Sequence, residues 1–325
     1  MNTIETEDRF SPEYQDELRA SVRAEQDRRS ASQADIAKLV GESYSTFSAW
    51  LNNTYKGNNG KVAANVERWL ESAKERETMA AALPGKIGFQ PTPTAEHMLS
   101  VCQFAQTAPD VVVIAGGAGV GKTTAFQHYQ KTSSNVWLIT MEPSTATMVK
   151  MMREIAYLMG VQERADAGLS RAIGRKVRGT GGLMIVDEAQ HLCTEALDQL
   201  RVFNDRDGIG IGIVIGGNET VYARLEGDGR KPAFAQLFSR LGMRHTQPKP
   251  RDKDISTLIA AWGISETRQT KLLTTIARKP GALRLMTKTL QLATMLAAGT
   301  GGERGYEHIR AAYERLTAEQ MPVEA

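Results

Sequence analysis

The stretch Gly116-Gly117-Ala118-Gly119-Val120-Gly121-Lys122-Thr123 narrows the possible folds of this chain more than any other. It satisfies G-x-x-x-x-G-K-[ST] in full, with the apolar run 111–115 before it and the helix-compatible segment 122–130 after it. A buried strand that feeds such a loop and then a helix is the setting in which the pattern binds phosphate. Backbone N–H groups of the glycine-rich turn curl around the phosphate oxygens, and the helix N-terminus adds positive potential. Lys122 is placed to neutralise the β- and γ-phosphates, and the Thr123 hydroxyl to ligate Mg²⁺. The expected nucleotide contacts run through Gly116, Gly117, Ala118, Gly119, Val120, Gly121, Lys122, Thr123 and Thr124.

Such a site needs a second half, and the segment LMIVDE at 183–188 supplies it. Four apolar residues predict a buried strand that delivers Asp187 to its C-terminal end, where the carboxylate joins Thr123 as a Mg²⁺ ligand. Glu188, one residue further, is placed to polarise an attacking water, a task for a carboxylate beside the phosphates. The chain contains no N-K-x-D sequence of the kind that reads guanine, so ATP is the expected nucleotide.

Around these motifs, from residue 95 onward, helix and strand alternate. Strands are expected at 111–115, 136–140, 183–186, 210–215 and 244–247, with helices at 96–105, 122–130, 145–159, 195–203 and 234–241. Five strands alternating with helices imply a parallel α/β sheet covered on both faces. Residues 252–317 read as helical throughout.

The N-terminal part differs. In SQADIAKLVGESYSTFSAWLN (32–52), Ser32 caps a short helix with Ile36, Ala37 and Val40 inward. Gly41 breaks it, and Phe47, Trp50 and Leu51 anchor a second helix. With Gln33, this spacing resembles the Cro/repressor type of helix-turn-helix, flanked by helices at 13–27 and 62–71. Residues 1–80 hold 11 Lys/Arg against 14 Asp/Glu, whereas the remainder holds 29 against 23. The acidic balance of the first part leaves open whether its helices meet DNA or protein. The expected division is a helix-turn-helix domain at 1–76, a linker at 77–94 punctuated by Pro84, Gly85, Pro91 and Pro93, an α/β core at 95–250 and a helical lid at 251–325.

Composition excludes several classes. With 41% apolar and 24% charged residues, the chain is neither disordered nor fibrous. Its apolar runs fall short of the roughly 18 residues of a membrane span, so no membrane partner is expected. Acidic residues within the first 30 rule out a secretory leader there, and Cys102 and Cys193 match no metal or redox spacing. The expected location is the cytoplasm of a bacterial host.

The phosphate loop, the acidic pair, the helix-turn-helix, the helical tail and the phrase IVDEAQHL (185–192) together resemble the Mu B-like family of AAA+ transposition target-selector ATPases, related to TnsC- and IstB-type ATPases. The resemblance covers nearly the whole chain. It implies an AAA+ P-loop core that binds ATP and Mg²⁺, grips double-stranded DNA without sequence preference and assembles as a helical filament or ring. It further implies recruitment of a DDE transposase (Mu A-like) that stimulates hydrolysis. By the same resemblance Asn218 senses the γ-phosphate, and Arg240 is the arginine finger given to a neighbouring subunit, with Arg244 in reserve. Arg284 is a second sensor in the lid, and Lys150, Arg153, Arg175, Lys176 and Arg178 (with Arg171) are DNA contacts. Two other readings fit the same motifs: an ATP-controlled helix-turn-helix transcriptional regulator, and a helicase loader of the DnaC type.

Overall fold

A computed structural model describes residues 9–82, 87–205, 210–221, 223 and 241–320. The chain forms two compact units, Met1–Gly85 and Lys86–Ala325.

The first unit is four helices: α1 (Pro12–Arg29), α2 (Gln33–Val40), α3 (Tyr44–Leu51) and α4 (Asn59–Ala82). Ser32 begins α2 with a capping box, its hydroxyl accepting from the Asp35 N–H at 3.2 Å while Asp35 accepts from the Ser32 N–H. Gly41 ends that helix at φ 82°, and Ser43 caps α3. Ile36, Ala37, Phe47, Trp50 and Leu51 meet Val22 and Val66 in one apolar core. Arg19 is buried there, with Nε donating to the Trp50 carbonyl at 2.8 Å and Nη1 paired with Asp16.

One boundary differs from expectation. Residues 77–82 are the last turns of α4 and not linker. The run of alanines at 80–82 favours helix, Glu77 is tied back to Arg28 at 2.7 Å, and Pro84 stands beyond the helix's last residue, Ala82.

In the second unit α5 (Pro93–Thr107) starts on Thr92, whose side chain accepts from the Ala95 N–H, with Pro93 in the first turn. Pro93 thus opens a helix where the sequence suggested the end of a linker. The sheet follows: β1 (Val111–Gly116), α6 (Lys122–Thr132), β2 (Val136–Thr140), α7 (Met148–Leu158), α8 (Asp166–Val177), β3 (Leu183–Asp187), α9 (Thr194–Asp205), β4 (Gly212–Gly217) and β5 (Leu241–Gln247). Strand order is β2-β3-β4-β1-β5, with every pair parallel.

Period-two burial splits the strands between two layers. Val111, Val113, Met184, Val186, Ile213 and Ile215 face α7, α8 and α9. Val112, Ile114, Leu183, Ile185 and Val214 face α5 and α6. Strands buried on both faces account for the unbroken apolar runs in the sequence.

The expected single helix at 145–159 is a short 3-10 turn (Pro143–Thr145) followed by α7. Thr147 holds extended backbone between them, and the Thr145 hydroxyl is engaged with the Glu142 carbonyl. α8 carries the second basic cluster. The expected helix at 234–241 lies outside the described residues, apart from Leu241, which begins β5.

The tail is a helical lid: α10 (Asp252–Ala261), α11 (Thr267–Ala277), α12 (Ala282–Gly299) and α13 (Tyr306–Thr317), packed about Ile259, Leu273, Ile276, Met286, Leu290, Ile309 and Tyr313. Asp254 joins the lid to α5. Fully buried, it accepts from Thr94 N–H (2.9 Å), Thr94 Oγ1 (2.6 Å) and Arg251 N–H (2.7 Å).

Candidate nucleotide-binding site

A cleft of about 980 Å³ opens between the end of the sheet and the lid. Its floor is the loop from β1 to α6, including Ala118, Gly119, Val120, Gly121, Lys122, Thr123 and Thr124. Glu188 and Asn218 stand at the ends of β3 and β4, and Arg284 and Lys288 reach it from the lid. Gly116 and Gly117 lie behind this floor, where Lys122 Nζ donates to their carbonyls at 2.7 and 3.1 Å.

The loop is tightly constrained. Gly119 has φ 80°, and a Cβ there would stand 2.0 Å from the Gly281 carbonyl oxygen. Glycine is needed for both backbone angle and proximity, so the phosphate loop and the lid meet backbone to backbone.

Charge is concentrated in a dry place. Burial pushes the Lys122 ammonium below its ordinary value, while Asp187 and Glu188 pull it back up. Burial likewise pushes the Asp187 carboxyl above the usual range, against the opposing hydrogen bonds from Thr123 Oγ1 (2.6 Å) and the Glu188 N–H (2.9 Å). A polyphosphate in the cleft would bring further anionic oxygens to Lys122 and favour its charged form. The Thr123 hydroxyl and the Asp187 carboxylate are adjacent hard oxygen donors, which suits a Mg²⁺ that completes its shell with water and phosphate. Among the described residues no cluster of three or more His, Cys, Asp or Glu could hold a metal unaided.

Glu188 sits in left-handed backbone, φ 55° and ψ 34°, an unusual conformation for a non-glycine residue. It turns the chain sharply after β3, and its side chain lines the cleft. The side-chain oxygen of Asn218 accepts from the Thr220 N–H at 3.0 Å.

The remaining sequence candidates are not gathered here. Arg240 lies outside the described residues, and Arg244 is exposed on the edge strand β5. Lys150, Arg171, Arg175, Lys176 and Arg178 are exposed on or beside α7 and α8. Arg153 is not a free cation: its guanidinium takes both oxygens of Asp166, at 2.8 and 3.0 Å.

Sequence reasoning missed three features of the cleft. Lys288 shares a lid-helix face with Arg284, four residues earlier, which the spacing could have revealed. The rings of Phe89 and His128 stack at 3.7 Å and 11°, a flat aromatic surface on the cleft wall. Gln190 lines the cleft between Glu188 and Asn218.

A parallel sheet in this order, with a phosphate loop after β1, an acidic pair ending β3, a polar residue after β4 and a helical lid against the loop, defines an AAA+ ATPase. The family model "AAA domain" matches residues 106–225, and the model "Mu B transposition protein, C terminal" matches residues 239–316. The chain is 36% identical over 302 residues to the ATP-dependent target DNA activator B of Escherichia phage Mu, covering 92% of this chain and 95% of that protein. It is 37% identical over 265 residues to the Mu-like prophage FluMu DNA transposition protein B of Haemophilus influenzae, covering 79% and 90%. Among solved structures, the Aeropyrum pernix ORC2 protein shares the fold at TM-score 0.57 and 18% identity, over 74% of this chain and 72% of that one. The chain belongs to the Mu B family of transposition proteins.

Proposed function

We propose that this ATPase uses Mg²⁺–ATP to assemble on double-stranded DNA without sequence preference and, so assembled, recruits and activates a transposase. Binding of ATP closes subunits into a filament or ring; hydrolysis, stimulated by DNA and by the transposase, releases them. The observation that carries this reading is that Lys122, Glu188, Asn218 and Arg284, from four separate segments, line one cleft. The kinship with a protein named as an ATP-dependent target DNA activator supplies the DNA and the process.

In this reading Lys122 and Arg284 hold the β- and γ-phosphates, while Thr123 and Asp187 hold Mg²⁺. Asn218 senses the γ-phosphate and Glu188 orients water. Arg240 reaches the phosphates of a neighbouring subunit, where such a finger contributes roughly 10³–10⁵ in rate. Exposed Lys150, Arg171, Arg175, Lys176 and Arg178 meet phosphates and not bases, which gives affinity without sequence discrimination. No described helix is long and apolar enough to cross a membrane.

The test is Glu188→Gln, which keeps shape and ATP binding but removes the carboxylate. Dissociation from random-sequence duplex is followed with ATP at two salt concentrations, beside the wild type. The variant is expected to stay bound far longer, and more so at low salt. Equal lifetimes, with hydrolysis absent in the variant, would overturn the proposal that turnover controls release.

A further inference from the structure

Gln190 lies two residues beyond the base, inside the 3-10 turn Ala189–His191, and its amide faces two ways. Nε2 donates to Glu188 Oε2, and Oε1 accepts from the Asn218 backbone N–H at 3.2 Å. One side chain thus links the carboxylate at the end of β3 to the first residue beyond β4.

The surroundings are built to keep it there. Ala189 and Leu192, on either side, are buried in the core beneath the sheet, so the turn cannot slide. At Gly217 a Cβ would lie 2.6 Å from Gln190 Oε1, so β4 passes close beside this amide and a larger residue there would displace it. Asn218 Oδ1 accepts from Thr220 N–H and Oγ1, and the residue meets Gln190 through its backbone N–H.

From this geometry we infer that Gln190 is a positioning residue for hydrolysis. It holds one oxygen of Glu188 so that the other faces the attacking water, and it ties that orientation to the end of the strand carrying Asn218. A neutral amide suits the task. It donates to a carboxylate without competing for the proton that Glu188 takes from water, and it accepts from a backbone N–H with its other end. The inference rests on the reading of Glu188 as the base.

The experiment is steady-state ATPase, with and without random duplex DNA, on the full chain and on Gln190→Glu, Gln190→Ala and Glu188→Gln, with nucleotide affinity and thermal melting measured alongside. Gln190→Glu keeps the size and the acceptor for Asn218 but replaces the donor to Glu188 with a like charge. It is expected to lower kcat by about 10–100-fold, the range carried by one hydrogen bond to a charged group, with KM, ATP affinity and melting near wild type. Gln190→Ala loses both contacts and is expected to fall at least as far in kcat, again with KM retained. Wild-type kcat in Gln190→Glu overturns the positioning role; so does a fall in kcat accompanied by matching losses of ATP affinity and melting temperature, which marks a structural residue. Glu188→Gln separates the two failures. If it still hydrolyses ATP, the base is wrongly assigned; if it is inactive while Gln190→Glu is unaffected, only the role of Gln190 fails.

Discussion

Thr123 Oγ1 donates to Asp187 Oδ2 at 2.6 Å, joining residues 64 apart in sequence at the point where a divalent cation would meet the nucleotide. Thr123→Val keeps the shape and removes that hydroxyl. Mg²⁺-dependent ATP affinity is expected to weaken at least tenfold, about 1.4 kcal/mol. The Asp187 carboxyl, already raised by burial, loses a bond that favours its charged form. The acid limb of ATPase activity should therefore move to higher pH in the variant. Unchanged Mg²⁺ dependence together with an unmoved acid limb would remove Thr123 and Asp187 from the metal site.

Two glycines in the phosphate loop separate backbone strain from contact with the lid. Gly121 has φ 104° and open space where a Cβ would go, whereas Gly119 has φ 80° and the Gly281 carbonyl oxygen 2.0 Å from that position. Alanine at either site carries a left-handed penalty of about 1–2 kcal/mol. Only Gly119→Ala must also push the lid away. Isothermal titration with ATP should show Gly119→Ala weaker than Gly121→Ala by about tenfold or more; equal affinities would mean that the lid contact does not matter for binding.

How far these features could be read beforehand varies for physical reasons. The phosphate loop and LMIVDE were legible because strand burial on both faces and fixed loop spacing leave few alternatives. α8 is obscured in sequence by Gly168 and Gly174, which lower helix propensity, although Leu169, Ile173 and Val177 recur at intervals of four and face the core. The pairing of Arg153 with Asp166 crosses a turn between two helices, so no helical spacing signals it. Gln190 was visible as a letter in IVDEAQHL, but its role depends on the approach of β4, which only the sheet order supplies.

That pairing yields a ranking of the DNA contacts. If α7 lies on the phosphate backbone, Lys150→Ala should reduce the slope of log affinity against log salt by about 0.9, the loss of one neutralised phosphate. Arg153→Ala should change it much less, because Asp166 already neutralises the guanidinium. Asp166→Ala should then steepen the slope by freeing Arg153. Fluorescence anisotropy with random duplex at several salt concentrations measures all three, and identical slopes would exclude α7 from the interface.

His245 gives a pH dependence of stability. Its ring is buried, 4.5 Å from that of His97, and burial, His97 and Arg251 hold it down to about 4 from an ordinary 6.5. Between those values the unfolded chain binds a proton that the folded chain refuses. Its contribution is therefore fully present above about pH 6.5 and is lost as pH falls toward 4. His245→Phe should flatten this decline by about 2 kcal/mol between about pH 7 and about pH 5, measured by urea unfolding. Parallel curves for the two proteins would show that His245 titrates normally.

The buried carboxylate of Asp254 bears on where this chain can be cut. Its two oxygens satisfy the hydroxyl and N–H of Thr94, 160 residues earlier, at the start of the helix that precedes the first strand. A fragment ending at 250 would keep every strand of the sheet yet lose both of these hydrogen bonds to a carboxylate, at a cost of about 1.5–3 kcal/mol each. The smallest autonomous ATPase fragment therefore extends past the last strand into the lid's first helix, and what sequence divides into core and cover is, at Asp254, one piece.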